Sequence, residues 1–521
     1  MSGPGKLNLD PGVIAACRQA AARIAEQVGE QIAGRTTVSV ERSVTRMLGV
    51  DGADSLGAPL PNVLVDHVHE QGLLGRGIAR WLGNAMLLSD RSPQQIAEAV
   101  SAGELDLVAL EQADEAAINA RVIEECRTRL SEISGRFEQR SAMRERLGDR
   151  DGTLRYVLTA TGDVYEDVVH AKAVAEAGGD IVAVIRSTAQ SLLDYVPYGP
   201  TTEGYGGTFA TQANFRIMRE AMDEWSEQHG RYVRLSSFCS GLCMSEIAAM
   251  GAWEGFDNMV NDALYGILYR DINIVRGLID QRVSRMINGY FGVTINTGED
   301  NYLRTADAVE AAPSVTASQF INHQLAHASG VPDAQIGLGD AFEIDNPVTN
   351  GLLYQWAQAQ LTRELFPDCP VKYMPPTRHM DGNLFRTHAT DTLFNLVTIA
   401  TGQGIQTIGV PTEGIFTPHI HDRVLGLQNV DYVFNSARDL GDEIEFKPGG
   451  IIQTRAQEVL AGARELLERI AETGLFAAID GATFGDVSRK LDEGRGIEGI
   501  VTTEAGYLNP LTELMGRAVH V

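Results

Sequence analysis

Apolar positions fall into short unbroken runs that end abruptly in polar side chains, and longer segments with helical spacing separate them. The segment from Asp180 to Tyr195 is the sharpest case. Its five-residue apolar run, 181–185, follows Gly179 and opens into Arg186, Gln190 and Ser191. Such a run predicts a parallel strand covered on both faces by helices. The same grammar predicts strands at 154–159, 232–238, 290–295, 334–338, 371–374, 405–410 and 430–434. Helical patterns at 317–328 and 351–365 lie between them. About eight strands alternating with helices predict an α/β fold, a closed (β/α)8 TIM barrel whose strand ends converge on one mouth. A doubly wound open sheet has the same alternation. No strand here feeds a Gly-x-Gly-x-x-Gly turn, which disfavours it.

The chain has 521 residues, far more than the ~250 of a bare barrel. The reading therefore places a helical N-terminal extension at 1–150, the barrel at 151–440 and a C-terminal extension at 441–521. Amphipathic stretches at 13–30, 93–102, 115–147 and 454–473 supply the extensions' helices. No apolar run reaches the ~18 residues of a membrane span. The opening Met1 to Lys6 lacks a signal peptide's apolar core, so the expected address is cytoplasmic. A formal charge of −26 would repel a phosphate backbone, which excludes nucleic acid as an expected partner. Five scattered cysteines suit reduced thiols.

Several short motifs lead nowhere. Cys239 and Cys243 would need a third cysteine where Glu246 stands to hold a radical-generating iron–sulfur cluster. His419 and His421 read as a loop pair rather than a metal site. Asp66-His-Val-His69 fails the cobalamin-ligating Asp-x-His-x-x-Gly pattern and reads as helix surface. Lysine is scarce: Lys6, Lys172, Lys372, Lys447 and Lys490 are all there are, and only Lys372 sits at a strand end. A Schiff-base aldolase barrel using Lys372 therefore competes with a lysine that merely pairs with a carboxylate. A non-catalytic scaffold is the remaining alternative.

Longer blocks carry more. Ser191-Leu-Leu-Asp-Tyr195-Val-Pro-Tyr-Gly199, Cys239-Ser240-Gly-Leu-Cys243, Asn261-Asp-Ala-Leu-Tyr265-Gly266, Arg270-Asp-Ile-Asn273, Asn296-Thr-Gly-Glu-Asp300-Asn301-Tyr302 and Lys372-Tyr-Met-Pro-Pro-Thr377 stand in this order. Together they resemble the large α subunit of the lysine 5,6-aminomutase family. The likeness runs from Thr36 to Val459, with departures at 418–423, where a histidine pair intrudes, and at 489–499. The resemblance implies a pyridoxal 5'-phosphate barrel that works with adenosylcobalamin. A small β subunit would carry the cobalamin-binding domain and the imine lysine, in an α2β2 assembly. It implies a radical migration of the ε-amino group of D-lysine, L-lysine or β-lysine to C5. Arg186, Gln190 and Ser191 would lie near the cofactor phosphate, Tyr265 against its ring, Ser240 at its ring nitrogen and Asn301 at its phenolic edge. Asp300 and Lys372 would hold the substrate's α-ammonium and carboxylate, with Tyr195 and Arg270 close by.

Overall fold

The computed structural model describes residues 5–185, 189–305, 307–345 and 347–518. Nine short parallel strands form one sheet: β1 (Leu154–Leu158), β2 (Ile181–Ile185), β3 (Arg234–Phe238), β4 (Asn258–Val260), β5 (Thr294–Asn296), β6 (Ile336–Gly337), β7 (Gly339–Ala341), β8 (Lys372–Met374) and β9 (Ile405–Thr407). β9 returns to β1, with Ile405 opposite Leu154, so the sheet closes and the open-sheet alternative falls. Around the ring β6 pairs with β5 while β7 pairs with β8. One residue, Leu338, separates the two halves, so they share one position in an eight-position TIM barrel.

Two expectations need correction. Residues 430–434 are not a strand but part of the helix Ile420–Ser436. Leu427, Val430 and Val433 are buried while Asp431 and Tyr432 face out, which is the helical period rather than the alternation of a strand. The strand that fills the vacant position is β4, whose three residues sit among Asp257, Asn261 and Asp262 and offer almost no apolar signal. Boundaries also moved. The helix Ile274–Tyr290 absorbs the start of the 290–295 run, and a 3-10 turn, Asp333–Gln335, precedes β6.

Helices between the strands cover the barrel, and both extensions pack onto it and onto each other. The helix Pro11–Ile32 begins at Pro11, with the Asp10 carboxylate accepting from the Gly12 N–H. Its buried face, Cys17, Ala21, Ile24 and Val28, packs on the helix Ile451–Thr473. Arg35–Thr37 and Ile500–Thr502 form a separate antiparallel ribbon that ties the two extensions together. The next helix, Val38–Met47, is buried along its whole length. Its charges are paired inside: Arg46 donates to Glu246 at 2.8 Å, and the Glu41 carboxylate accepts from Thr36, Tyr507 and the Ile78 N–H. Among the described residues no helix is long and apolar enough to cross a membrane.

Candidate active site at the strand ends

One cavity opens at the carboxyl ends of the strands, the end where barrels carry their chemistry. Its polar lining includes Tyr156 from β1, Ser191 beyond β2 and Ser240 beyond β3. Asp262, Tyr265 and Arg270 follow β4, Asp300 and Asn301 follow β5, Lys372 lies on β8 and Thr407 on β9.

The Ser240 turn lies directly against Ser191. Gly241 has φ +100°, and a Cβ there would meet the Ser191 Cα at 2.6 Å. Glycine thus serves both the backbone conformation and the close approach that brings two hydroxyls to one wall. Ser240 Oγ and Thr407 Oγ1 are buried without a hydrogen-bond partner in the chain. A buried hydroxyl left unpaired costs about 1–3 kcal/mol, so both call for a bound group.

Tyr265 rides on the helix Ala263–Arg270, which the Asp262 carboxylate caps by accepting from the N–H groups of Leu264 and Tyr265. The Tyr265 hydroxyl accepts from Arg270 at 2.7 Å. Burial raises the Asp262 carboxyl above its usual range, against the pull of the Arg285 guanidinium. Burial and the neighbouring Asp262 push Glu299 up as well, to about 7. The two acids are bridged by Asn322, whose amide donates to both, at 3.3 and 2.9 Å. Both shifts favour the protonated acids, which limits the negative charge at this wall of the cavity.

Lys372 Nζ stands 3.6 Å from Asp300 Oδ1, with both side chains almost wholly buried. Asp300 is also held from behind: Gly339 lies so close that a Cβ there would meet its Oδ1 at 2.8 Å. Asn301 turns its amide to the Gly298 carbonyl at 2.9 Å.

Seven of the ten residues expected in the site, Ser191, Ser240, Tyr265, Arg270, Asp300, Asn301 and Lys372, line this cavity. Gln190 is buried behind it, with its amide spent on both backbone groups of Ala210. Tyr195 is 43 % exposed and is not part of the lining. Arg186 lies outside the described residues. Sequence reasoning passed over Tyr156, Asp262, Thr407 and Glu413. Asp262 carried a usable signal, an acidic residue immediately before a helix. Tyr156 and Thr407 sit within predicted strands, where nothing in the pattern marks an inward hydroxyl. Cys239 and Cys243 are buried thiols whose ionisation burial opposes, consistent with the absence of a cluster motif. His419 precedes the helix Ile420–Ser436 and His421 lies in its first turn, so they are not a loop pair.

Comparison with known proteins bears on the whole chain. The family model described as the D-lysine 5,6-aminomutase TIM-barrel domain of the alpha subunit matches residues 7–514. The lysine 5,6-aminomutase alpha subunit of Acetoanaerobium sticklandii is 51% identical over 98% of this chain and 98% of its own. That of Fusobacterium nucleatum subsp. nucleatum is 51% identical over 98% and 99%. The D-ornithine 4,5-aminomutase subunit beta of A. sticklandii is 26% identical over 71% of this chain and 52% of its own.

Proposed function

Because the chain belongs to the family of lysine 5,6-aminomutase α subunits, we propose that it is the barrel half of an isomerase that moves the terminal amino group of a lysine isomer to C5. The observation that carries this reading is the convergence on one cavity of seven of the residues that the family resemblance assigns. On this reading pyridoxal 5'-phosphate binds in the cavity. Adenosylcobalamin and the lysine that anchors pyridoxal come from a small β subunit, in an α2β2 complex. The scarcity of lysine, with Lys372 already facing Asp300, supports an anchor on another chain.

The lining suits a flat, anionic heterocycle. Tyr265 offers an aromatic ring for stacking, and the unpaired hydroxyl of Ser240 offers a neutral partner to a ring nitrogen. A serine, unlike a carboxylate, does not force that nitrogen to stay protonated. Ser191, Asn301 and Arg270 add donors to the lining, and the family resemblance assigns Arg186, whose guanidinium fork would suit the phosphate. Gln190 holds its own turn in place through Ala210. When bound, the two cofactors supply a ring that spreads unpaired spin and a radical that abstracts hydrogen.

This chain's share is positioning and exclusion of solvent. Lys372 pairs with the substrate carboxylate and Asp300 with its α-ammonium. Opposite charges facing each other across the cavity fix the zwitterionic end of lysine, which leaves its far amine to reach the pyridoxal. The aldolase reading fares worse: the amine it needs as a free nucleophile already faces the Asp300 carboxylate at 3.6 Å. A scaffold would not gather these residues in one cavity.

The decisive assay adds components one at a time. The isolated chain should turn over no lysine isomer, and activity should appear only with the β partner, pyridoxal phosphate and adenosylcobalamin together. Turnover by the chain alone without cobalamin, or none by the full complex, would overturn the reading.

A further inference from the structure

At the opposite end of the barrel from the cavity, three side chains meet in an arrangement with no place in the reaction proposed above. His323 and His327 stand one turn apart on the last two turns of the helix Ala308–His327. Asp333 opens the 3-10 turn that leads into β6. Asp333 Oδ1 lies 2.8 Å from the Nε2 of each histidine, and the two Nε2 atoms are 3.2 Å apart.

Hydrogen bonding alone serves this triangle poorly. If both rings donate to the one oxygen, their two N–H protons are brought toward each other across 3.2 Å. If one ring gives up its Nε2 proton, that nitrogen turns a lone pair toward the carboxylate oxygen. A single divalent cation replaces both protons and resolves the conflict. The edges of 2.8, 2.8 and 3.2 Å outline a face that a metal with bonds of about 2.0–2.2 Å can cap.

Neutral imidazole and ionised carboxylate are the states that bind metal. The His323 ring is further set by Phe366, 5.2 Å between centroids, and its Nδ1 lies 3.4 Å from the side-chain amide of Gln324. His327 and Asp333 are partly exposed, which leaves an open side for entry and for a water ligand.

We propose that His323, His327 and Asp333 form a binding site for a zinc-class divalent transition-metal ion. The ion staples the end of one barrel helix to the turn that starts β6. Two imidazoles and one carboxylate on an open face suit zinc, cobalt or nickel better than calcium or magnesium.

The test uses the untagged full chain, stripped by a chelator and titrated with zinc chloride alone, then in parallel with cobalt chloride. Zinc should bind saturably at one equivalent per chain, release protons and raise Tm, and cobalt should develop visible absorption. His327→Gln and Asp333→Asn should each weaken zinc binding at least about tenfold and remove the Tm gain. His419→Gln/His421→Gln should behave like the unaltered chain. Absence of saturable binding, or binding that both His327→Gln and Asp333→Asn leave unchanged, would overturn the proposal.

Discussion

At the scale of single residues the cavity divides, on the proposed reading, into groups that grip the substrate and groups that aim the cofactor. Lys372 belongs to the first. Lys372→Ala should raise KM for the lysine substrate by an amount equivalent to about 2–5 kcal/mol, the cost of deleting one partner of a desolvated pair, and change pyridoxal binding far less. Borohydride reduction should leave no adduct on Lys372, and a trapped carbonyl compound there would restore the aldolase reading. Tyr265 belongs to the second group. Tyr265→Ala loses a stacking contact worth ~0.5–1.5 kcal/mol beyond buried area. A tilt of about 1 Å at the reacting carbon can cost ~10²-fold in rate. Turnover should therefore drop more than pyridoxal occupancy, which parallel cofactor absorbance and product measurements will separate. Tyr265→Phe keeps the ring but releases the Arg270 donor, so it should fall between the parent and Tyr265→Ala. The placement of these residues at one cavity was legible in the sequence because each sits in a long block that resembles the family. The hydroxyls of Tyr156 and Thr407 were not, since only the closed barrel decides which side of a strand points inward.

At the scale of elements the break between β6 and β7 is the informative feature. Gly339 starts β7 with its Cα facing both the Thr297 carbonyl and Asp300 Oδ1, and a Cβ added there would stand 2.8 Å from each. Gly339→Ala has to push against backbone on one side and a site carboxylate on the other. It should lower activity at least tenfold through loss of substrate binding, with pyridoxal affinity largely kept. The next residue, Asp340, is buried between β7 and the helix Gly351–Leu365, where it accepts from Thr362 at 2.9 Å. Burial raises its carboxyl from the ordinary 3.8 to about 7. The folded chain thus holds a proton that the unfolded chain releases, and this group's contribution to stability falls as pH rises from about 4 to about 7. Asp340→Asn removes that dependence. Its Tm advantage over the parent should be small near pH 4, grow to a few degrees by pH 7 and then level off. A gap that does not change with pH would mean that Asp340 ionises normally. Sequence patterning located most strands, including the three-residue β8 and β9, and failed at β4 and at 430–434. β4 has too few residues to show alternation, and 430–434 looked like a strand because its two valines happen to be flanked by aromatics.

At the scale of the whole molecule, the mouth carries a collar of exposed aromatic and aliphatic side chains. Tyr198, Tyr205, Phe385, Ile415 and Phe416 all project from segments that follow β2, β8 and β9. On the proposed reading the β subunit covers this collar when it delivers the cobalamin. Phe385→Asp with Phe416→Asp should weaken α–β association at least tenfold, read by analytical ultracentrifugation, and leave pyridoxal binding to the mixed subunits at saturating concentration intact. Unchanged association would move the partner elsewhere.

The ribbon that joins Arg35–Thr37 to Ile500–Thr502 sets the timing of assembly. Tyr507 bonds to Thr36 across 471 positions of sequence. During synthesis the N-terminal helices emerge first, yet the buried Glu41 lacks its Tyr507 partner until almost the entire chain has left the ribosome. Contacts of such long range are slow to find because their loop entropy is lost before anything is gained. The barrel can close while the first helices wait as an exposed apolar surface, so chaperone dependence and aggregation should concentrate in that interval. Residues 500–507 therefore complete contacts that residues 35–41 cannot make on their own.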